Sequence, residues 1–570
     1  MLTGSSDVGD SRLRPLRSIL VLGSLASLAG AGLFVLALSD TRWQLEKPPE
    51  KLTDGIGAVR EGGGALPHIA LVLADDFGHA NVGYNRRSEA GDAAAEVHTP
   101  TLDALADSGI ILTNFYTYKY CAPSRAALQT GRLPVHVNME NTGVTVINEA
   151  DSISGYAGIP RNMTGVAAKL RAAGYKTHAV GKWDVGMATP EHTPLGRGYD
   201  SWLGYYQHAN EYWSKQTDIY STGMIDNCIN DVSFLQMKNP LTGEPLEGNE
   251  FRDLSLLNAT FRGGVRDTRY LSRATYEEDV FKEQMLAVVA AHDLSAPLFL
   301  FYSFHLLHTP LQVPPSYLSR IDAIVAAAGA PPFDTDNRRL YAAMVLYMDE
   351  AVGELVDAFR SRGMWENTLT VFMSDNGGPI YEPGAANNFP LRGGKYSDFQ
   401  GGVNANAFLS GGWLPEARRG SEYGGVVHIA DWYSILCGLA GVDATDIAAA
   451  AAGLPAVDGR DLLAAILDDT SARTDALHLS PNAILRWPYK LVTGKQEFGT
   501  WTSPRYPNCS TSKSATKSRG PEHSAQLLLV LGRLVHRAEG ADYYFRRRAH
   551  PRGENPVWAA EGAGQPDVGV

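Results

Sequence analysis

The run His68-Ile-Ala-Leu-Val-Leu-Ala-Asp-Asp-Phe-Gly78, HIALVLADDFG, decides the fold. An unbroken apolar stretch stops at two adjacent carboxylates and a turn glycine. Period-2 alternation is absent, which predicts a central strand of an α/β sheet covered on both faces. Three more runs have the same character: KTHAVGKW (176–183), APLFLFYSFH (296–305) and NTLTVFMSDNGG (367–378). Helical patterns lie between and after them. TPTLDALADSG (99–109) offers Thr99 as N-cap, Pro100 in the first turn and Gly109 as the stop. NRRLYAAMVLYMDEAVGELVDAFRSRG (337–363) repeats Leu340, Met344, Tyr347, Met348, Val352, Leu355 and Val356 at helical spacing. HIADWYSILCGLAG (428–441) reads as a further helix. Strands alternating with helices imply a doubly wound α/β/α body. Ligands in such folds gather beyond the C-terminal ends of the strands. Asp75, Asp76, Lys182, His308, Asp375 and Asn376 all sit at or shortly after such ends.

The chain has 570 residues, 44% hydrophobic and 20% charged, enough for a large core and more than one domain. A net charge of −12 excludes general nucleic-acid binding, which needs a basic surface, but not a locally positive site for a small anion. Arg12, Arg14 and Arg17 precede an uncharged apolar run from Ser18 to Ser39, the pattern of a secretory leader. The run approaches the ~20 residues that span a bilayer, so a signal anchor and a cleaved signal peptide both remain open. Asn162-Met-Thr, Asn258-Ala-Thr and Asn508-Cys-Ser are glycosylation triplets suited to that route. The four cysteines, Cys121, Cys228, Cys437 and Cys509, match no zinc spacing.

Two chemistries are visible in the residues themselves. Adjacent Asp75 and Asp76 at one strand end, with Asp375-Asn376 at another, offer hard oxygen ligands for a divalent cation; Asp-Asn-Gly is equally a common turn. Arg125, four residues after Cys121 and so on the same helical face, with Lys182, His308 and Lys395, would make an oxyanion site if they converge.

CAPSRAALQTGR (121–132) matches the pattern C-x-P-S-R-x-x-L-x-T-G-R and resembles the signature of the type I sulfatases. LVLADDFG, GKWDVGM, RGYDSWLGYY, HTPLQVP, SDNGG and PLRGGKYSDFQGGV extend the likeness from about His68 to about Thr502. They are most similar to the arylsulfatase B or N-acetylgalactosamine-4-sulfatase branch. The resemblance implies an alkaline-phosphatase-like α/β/α sandwich, with a large mixed, mostly parallel sheet and a smaller C-terminal α+β domain. Taken with the leader pattern and the Gly-rich polar stretch after it, the resemblance divides the chain into a leader at 1–40, a linker at 41–66, a catalytic domain at 67–445, a smaller domain at 446–511 and an atypical tail at 512–570.

It further implies hydrolysis of aryl or carbohydrate sulfate esters through a sulfated-enzyme intermediate. Cys121 would be oxidised to formylglycine by the formylglycine-generating enzyme in the secretory pathway. Asp75, Asp76, Asp375 and Asn376, with the hydrate of residue 121, would hold one Ca2+. Arg125 would hold the hydrate, Lys182 and Lys395 the sulfate, and His308 would stand by the leaving oxygen.

Two features depart from the family. Gly181-Lys182-Trp183-Asp184 stands where Gly-Lys-Trp-His is usual, so Asp184 replaces the expected base of the last elimination. His178, His192 and His208 are nearby substitutes in sequence. The alternative is a weakly active or non-catalytic protein that binds sulfated polysaccharide. Beyond Ser510 the usual continuation, a Leu-Phe-Asp-like segment followed by Asp-Pro-x-Glu, is missing.

Overall fold

The computed structural model describes residues 65–87, 95–139, 158–186, 190–206, 209, 211–213, 257–258, 275–381, 384–500, 502, 543–548 and 557–562. The apolar run 18–39, Cys228, Cys509, His208, the Asn508 triplet and most of 210–266 lie outside them. Among the described residues no helix is long and apolar enough to cross a membrane.

In chain order the elements begin with β1 (His68–Ala74), α1 (Pro100–Asp107), β2 (Ile110–Leu112), β3 (Phe115–Tyr116) and α2 (Cys121–Thr130). There follow α3 (Val166–Ala172), β4 (Lys176–Lys182), β5 (Ser201–Tyr205), β6 (Leu257–Asn258), α4 (Glu277–Ala291) and β7 (Leu298–Ser303). The body continues through α5 (Pro315–Ala327), α6 (Asp336–Ser361), β8 (Thr368–Ser374), β9 (Ala407–Ser410), β10 (Ser421–Tyr423), β11 (Val427–His428) and α7 (Asp431–Ala440).

One nine-stranded sheet runs β10-β2-β9-β8-β1-β7-β4-β5-β6. Its centre, β8-β1-β7-β4-β5, is parallel throughout, and antiparallel pairs occur only further out. This is the large, mixed, mostly parallel sheet expected. Strand β1 lies at its middle, pairing Leu71 with Phe301 on one side and with Val371 on the other. Its alternate residues feed two cores. Ile69, Leu71 and Leu73 pack with Val166, Leu170, Trp432 and Leu436 on one face. Ala70, Val72 and Ala74 pack with Phe281, Met285, Met344 and Val352 on the other. Burial on both faces is why the strand reads as a continuous apolar run.

The helix predicted over 337–363 is α6, with Met344, Tyr347, Met348, Val352, Leu355 and Val356 buried. Thr99 precedes α1, but its side chain does not cap that helix. Asp349 of α6 accepts from the N–H groups of Thr101 and Leu102 (3.0 and 2.8 Å) and does so instead, a tertiary cap invisible to local sequence.

Towards the C-terminus, β12 (Leu477–Ser480), β13 (Ala483–Arg486) and β14 (Tyr489–Val492) form an antiparallel sheet. It packs Leu477, Leu479 and Leu485 on Leu133, Val135 and Val403. In the tail, β15 (Tyr543–Arg548) pairs antiparallel with β16 (Val557–Gly562).

Candidate active site

The C-terminal ends of β1, β4, β7 and β8 converge, and the polar residues immediately beyond them form one buried cluster. Asp75 and Asp76 follow β1, Lys182 ends β4, Ser303 ends β7, and Asp375-Asn376 follow β8. Tight approach of the backbone makes this possible at two glycines. At Gly181 φ is +97°, and a Cβ would lie 1.8 Å from the Ser303 carbonyl oxygen of the neighbouring strand. At Gly377 a Cβ would lie 1.8 Å from the Gly401 carbonyl oxygen, so glycine lets the Lys395 loop close on the end of β8.

Helix α2 begins at Cys121 and ends in a left-handed Gly131 (φ +69°), and every residue of it is buried. Its first turn aims Cys121 into the cluster, where the thiol donates to Asp75 Oδ1 at 3.3 Å. One turn on, Arg125 donates from Nε to Asp375 Oδ2 (2.9 Å) and from Nη1 to Ser303 Oγ (2.6 Å). The neighbouring residues of the same stretch serve the fold. Ser124 Oγ accepts from the Tyr118 N–H at 3.0 Å, and Arg132 pairs with Asp446 at 2.9 Å. Cys437 is also a free, buried thiol, so neither Cys121 nor Cys437 is in a disulfide.

The remaining contacts interleave charge. Lys182 Nζ donates to Asp75 Oδ2 at 2.6 Å and Lys395 Nζ to Asp76 Oδ2 at 2.8 Å. Asn376 Nδ2 donates to Asp76 Oδ1 at 2.7 Å. His308 Nδ1 faces the Thr309 carbonyl oxygen at 2.6 Å and must donate to it, which leaves Nε2 turned to Asp76 Oδ2 at 3.8 Å. The Asp76 turn (φ +58°) is held by Tyr341, whose hydroxyl donates to the Asp76 carbonyl at 2.8 Å. Asp184, also in the left-handed region (φ 55°), is fully buried with Oδ2 3.6 Å from Lys182 Nζ. The structure therefore brings together Asp75, Asp76, Cys121, Arg125, Lys182, Asp184, His308, Asp375, Asn376 and Lys395.

It does not bring in His178, whose Nδ1 lies 2.6 Å from Ser201 Oγ at the opposite end of β4. His192 packs against Gly186, and its carbonyl accepts from Trp183 Nε1 at 2.9 Å. Sequence reasoning missed Ser303, His305 and Glu278. Ser303 was legible as the last residue of an apolar strand. Glu278 Oε1 accepts from the N–H groups of His305 and Leu306 (2.8 and 3.1 Å), a contact between distant segments with no local signal.

Protonation follows from burial and sign. Burial alone would raise Asp75, but Lys182, His308, Arg125 and Lys395 hold it well below the usual carboxylate range. Burial raises Asp76 against the pull of Lys395, with the Asp75 charge adding to the rise. Burial, reinforced by Asp75, pushes Asp375 up to about 7. Burial and the same carboxylate push the Cys121 thiol well above its ordinary value, so it is no ready thiolate nucleophile.

Ligand atoms of Asp75, Asp76, Cys121 and Asp375 lie within 4.8 Å of one another, a spacing suited to one metal ion. Asn376 Oδ1 is buried without a hydrogen-bond partner, an orphaned acceptor pointing to the same use. Metal binding needs Asp75, Asp76 and Asp375 ionised; with Asp184 they are four carboxylates against the three cations Arg125, Lys182 and Lys395, a net negative cluster. A bound divalent cation reverses that sign, which is what an anionic ester needs in order to enter.

Comparison with known proteins places this cluster in context. Residues 67–442 match the family model Sulfatase. Arylsulfatase J of Mus musculus is 28% identical, over 86% of this chain and 72% of that protein. Arylsulfatase A of Homo sapiens is 30% identical, over 80% of each. Among solved structures, a PsFucS1 sulfatase from Pseudoalteromonas sp. superposes with TM-score 0.58 at 25% identity, covering 77% of this chain and 80% of that one. Ps i-CgsB, solved in complex with k-i-k-neocarrahexaose, gives TM-score 0.56 at 27% identity, covering 75% and 84%.

Proposed function

This chain belongs to the sulfatase family and is a sulfuric ester hydrolase, and from that premise we propose that its working nucleophile is formylglycine made from Cys121. The observation that carries this is the placement of one thiol among three aspartates and three cations, in a pocket that suppresses its ionisation. Oxidised to the aldehyde and hydrated, position 121 would supply two hydroxyls: one attacks sulfur as a neighbouring carboxylate takes its proton, and loss of the proton from the other re-forms the C=O bond and breaks the C–O bond to sulfate.

The chain's own residues do the rest. Asp75, Asp76, Asp375 and the free Oδ1 of Asn376 would hold Ca2+, which supplies positive charge to the sulfate and to the attacking oxygen. Lys182 and Lys395 turn from their aspartate partners towards the sulfate oxygens. Arg125, fixed on Asp375 and Ser303, orients the nucleophile from one helical turn below it. His308, its Nδ1 proton committed to the Thr309 carbonyl, would carry a second proton on Nε2 as the imidazolium and give that one to the leaving oxygen. Asp184, buried beside Lys182, takes the proton in the final elimination.

The substrate is a sulfate ester, and the complex of Ps i-CgsB with neocarrahexaose favours a carbohydrate sulfate over a simple aryl one. The leader 1–40, as signal anchor or signal peptide, would deliver the chain to the lumen where the formylglycine-generating enzyme acts, and Asn162 is exposed there for glycosylation. The polysaccharide-binding alternative without catalysis is not favoured, because every acid of the cluster and Cys121 are present. The test is mass spectrometry of the tryptic peptide Tyr120–Arg125 from protein made in a secretory host, paired with turnover of p-nitrophenyl sulfate. An aldehyde at 121 with turnover is expected; an unmodified thiol in active protein overturns the proposal.

A further inference from the structure

The buried centre is continued towards the surface by aromatic rings. Tyr120 immediately precedes Cys121, and Tyr396 immediately follows Lys395. Both are partly exposed, whereas Cys121 and Lys395 are buried. Lys395 Nζ lies 5.5 Å from the centroid of the Tyr396 ring. Tyr396 in turn meets Tyr120 (5.7 Å between centroids), Tyr381 (5.9 Å, stacked) and Phe498 (6.1 Å). Tyr381 and Phe498 close the triangle at 4.5 Å. Phe498 is 38% exposed.

Two of the four rings are carried on backbone that disfavours them. Tyr396 has φ 72° and Phe498 φ 46°, the left-handed region in which a bulky residue is an outlier. Such strain persists only where surrounding contacts impose it, and it concentrates at ligand-holding sites. The contacts are present. Tyr396 N–H donates to the Lys119 carbonyl at 2.8 Å. Gly393 N–H donates to the Thr500 carbonyl at 2.8 Å, and Arg392 Nε to that of Gly499 at 2.9 Å. Asp398 N–H donates to Gln496 Oε1 at 2.7 Å, so the segment carrying Phe498 is fixed to the loop carrying Lys395 and Tyr396. A half-exposed aromatic surface held rigid at the edge of a reaction centre is a preorganised binding surface.

We infer that Tyr120, Tyr381, Tyr396 and Phe498 form a platform on which the sugar ring of a sulfated carbohydrate lies while its sulfate reaches Cys121 and Lys395. The inference rests on Cys121 as the reaction centre and on the carbohydrate reading proposed above, and adds the residues that hold the sugar. An aromatic face takes the C–H face of a sugar, and the phenolic edges of Tyr381 and Tyr396 serve its hydroxyls, groups that a plain aryl sulfate lacks. Four contiguous rings also exceed what one aryl leaving group covers, so the surface extends to a second sugar unit at Phe498.

The experiment compares kcat/KM for ι-carrageenan and chondroitin sulfate oligosaccharides with kcat/KM for p-nitrophenyl sulfate. Wild type is expected to favour at least one oligosaccharide. In Phe498→Leu, which keeps an apolar side chain and removes the ring, the ratio of oligosaccharide to aryl efficiency is expected to fall about tenfold. Tyr396→Ala is expected to lower it further, with thermal unfolding followed in both variants to separate lost folding from lost selectivity. An unchanged ratio in folded Phe498→Leu and Tyr396→Ala overturns the platform. So does a wild type that turns over p-nitrophenyl sulfate and no oligosaccharide better, while leaving the sulfatase assignment standing. Turnover of no sulfate ester at all would remove the assignment beneath it.

Discussion

Asp184→Asn separates the two effects that a buried carboxylate has beside a sulfate site. The substitution is nearly isosteric, and asparagine tolerates the left-handed backbone at 184 (φ 55°), so the fold is preserved where alanine would add strain. Asp184 Oδ2 lies 3.6 Å from Lys182 Nζ, an attraction on the order of 5 kcal/mol at an effective dielectric of about 20. A bound sulfate competes with that attraction for the same ammonium. Releasing a quarter of it to substrate lowers KM about tenfold. If Asp184 is also the base of the final elimination, kcat falls by about 10²–10⁴. Both parameters then fall, and alcohol release precedes sulfate release. In stopped-flow hydrolysis of p-nitrophenyl sulfate this appears as a burst of nitrophenol matching the enzyme concentration, followed by a slow steady rate. Asp184→His, also compatible with the backbone, is expected to restore turnover without the burst. A kcat for Asp184→Asn within about threefold of wild type, with no burst, refutes the base role; a KM that rises refutes the electrostatic competition.

Glu278 is buried and held neutral, its carboxyl pushed up to about 8 by burial against two opposing backbone N–H bonds. Because its folded pKa is raised, its contribution to stability is complete below the unfolded value of 4.5 and is lost as pH rises towards 8. Glu278→Gln, which keeps the Oε1 acceptor, should match wild type in urea melts at pH 5 and exceed it at pH 8.5; parallel losses would refute this. If the cluster holds Ca2+ as proposed, a chelator should lower the melting temperature by several degrees, since ligand at a hundredfold over Kd contributes about 3 kcal/mol, and re-added Ca2+ should restore it. Asp375→Asn should weaken that response. Gly181→Ala, with a Cβ 1.8 Å from the Ser303 carbonyl oxygen, should cost at least about 3 kcal/mol in denaturant unfolding and displace Lys182 from Asp75; a stable, active variant would show that β4 and β7 can part there.

The sequence by itself determined the class of fold, because burial of β1 on both faces writes a continuous apolar run that no surface element would keep. It also named the site's first members. Carboxylates, a lysine and a histidine placed just beyond apolar runs lie where α/β sheets gather ligands, and Cys121 and Arg125 share a helical face by spacing alone. Tertiary structure alone decided the pairings: which aspartate each lysine meets, that Asp349 caps α1, and that Glu278 supports the His305 turn. It alone ruled out His178 by placing it at the far end of β4, and assembled the aromatic edge from residues as distant as Tyr120 and Phe498. Periodicity reports only the face a residue presents within its own element. Electrostatic pairing and ring contact depend on which elements the sheet order makes neighbours, and that order is fixed by the packing of the whole core.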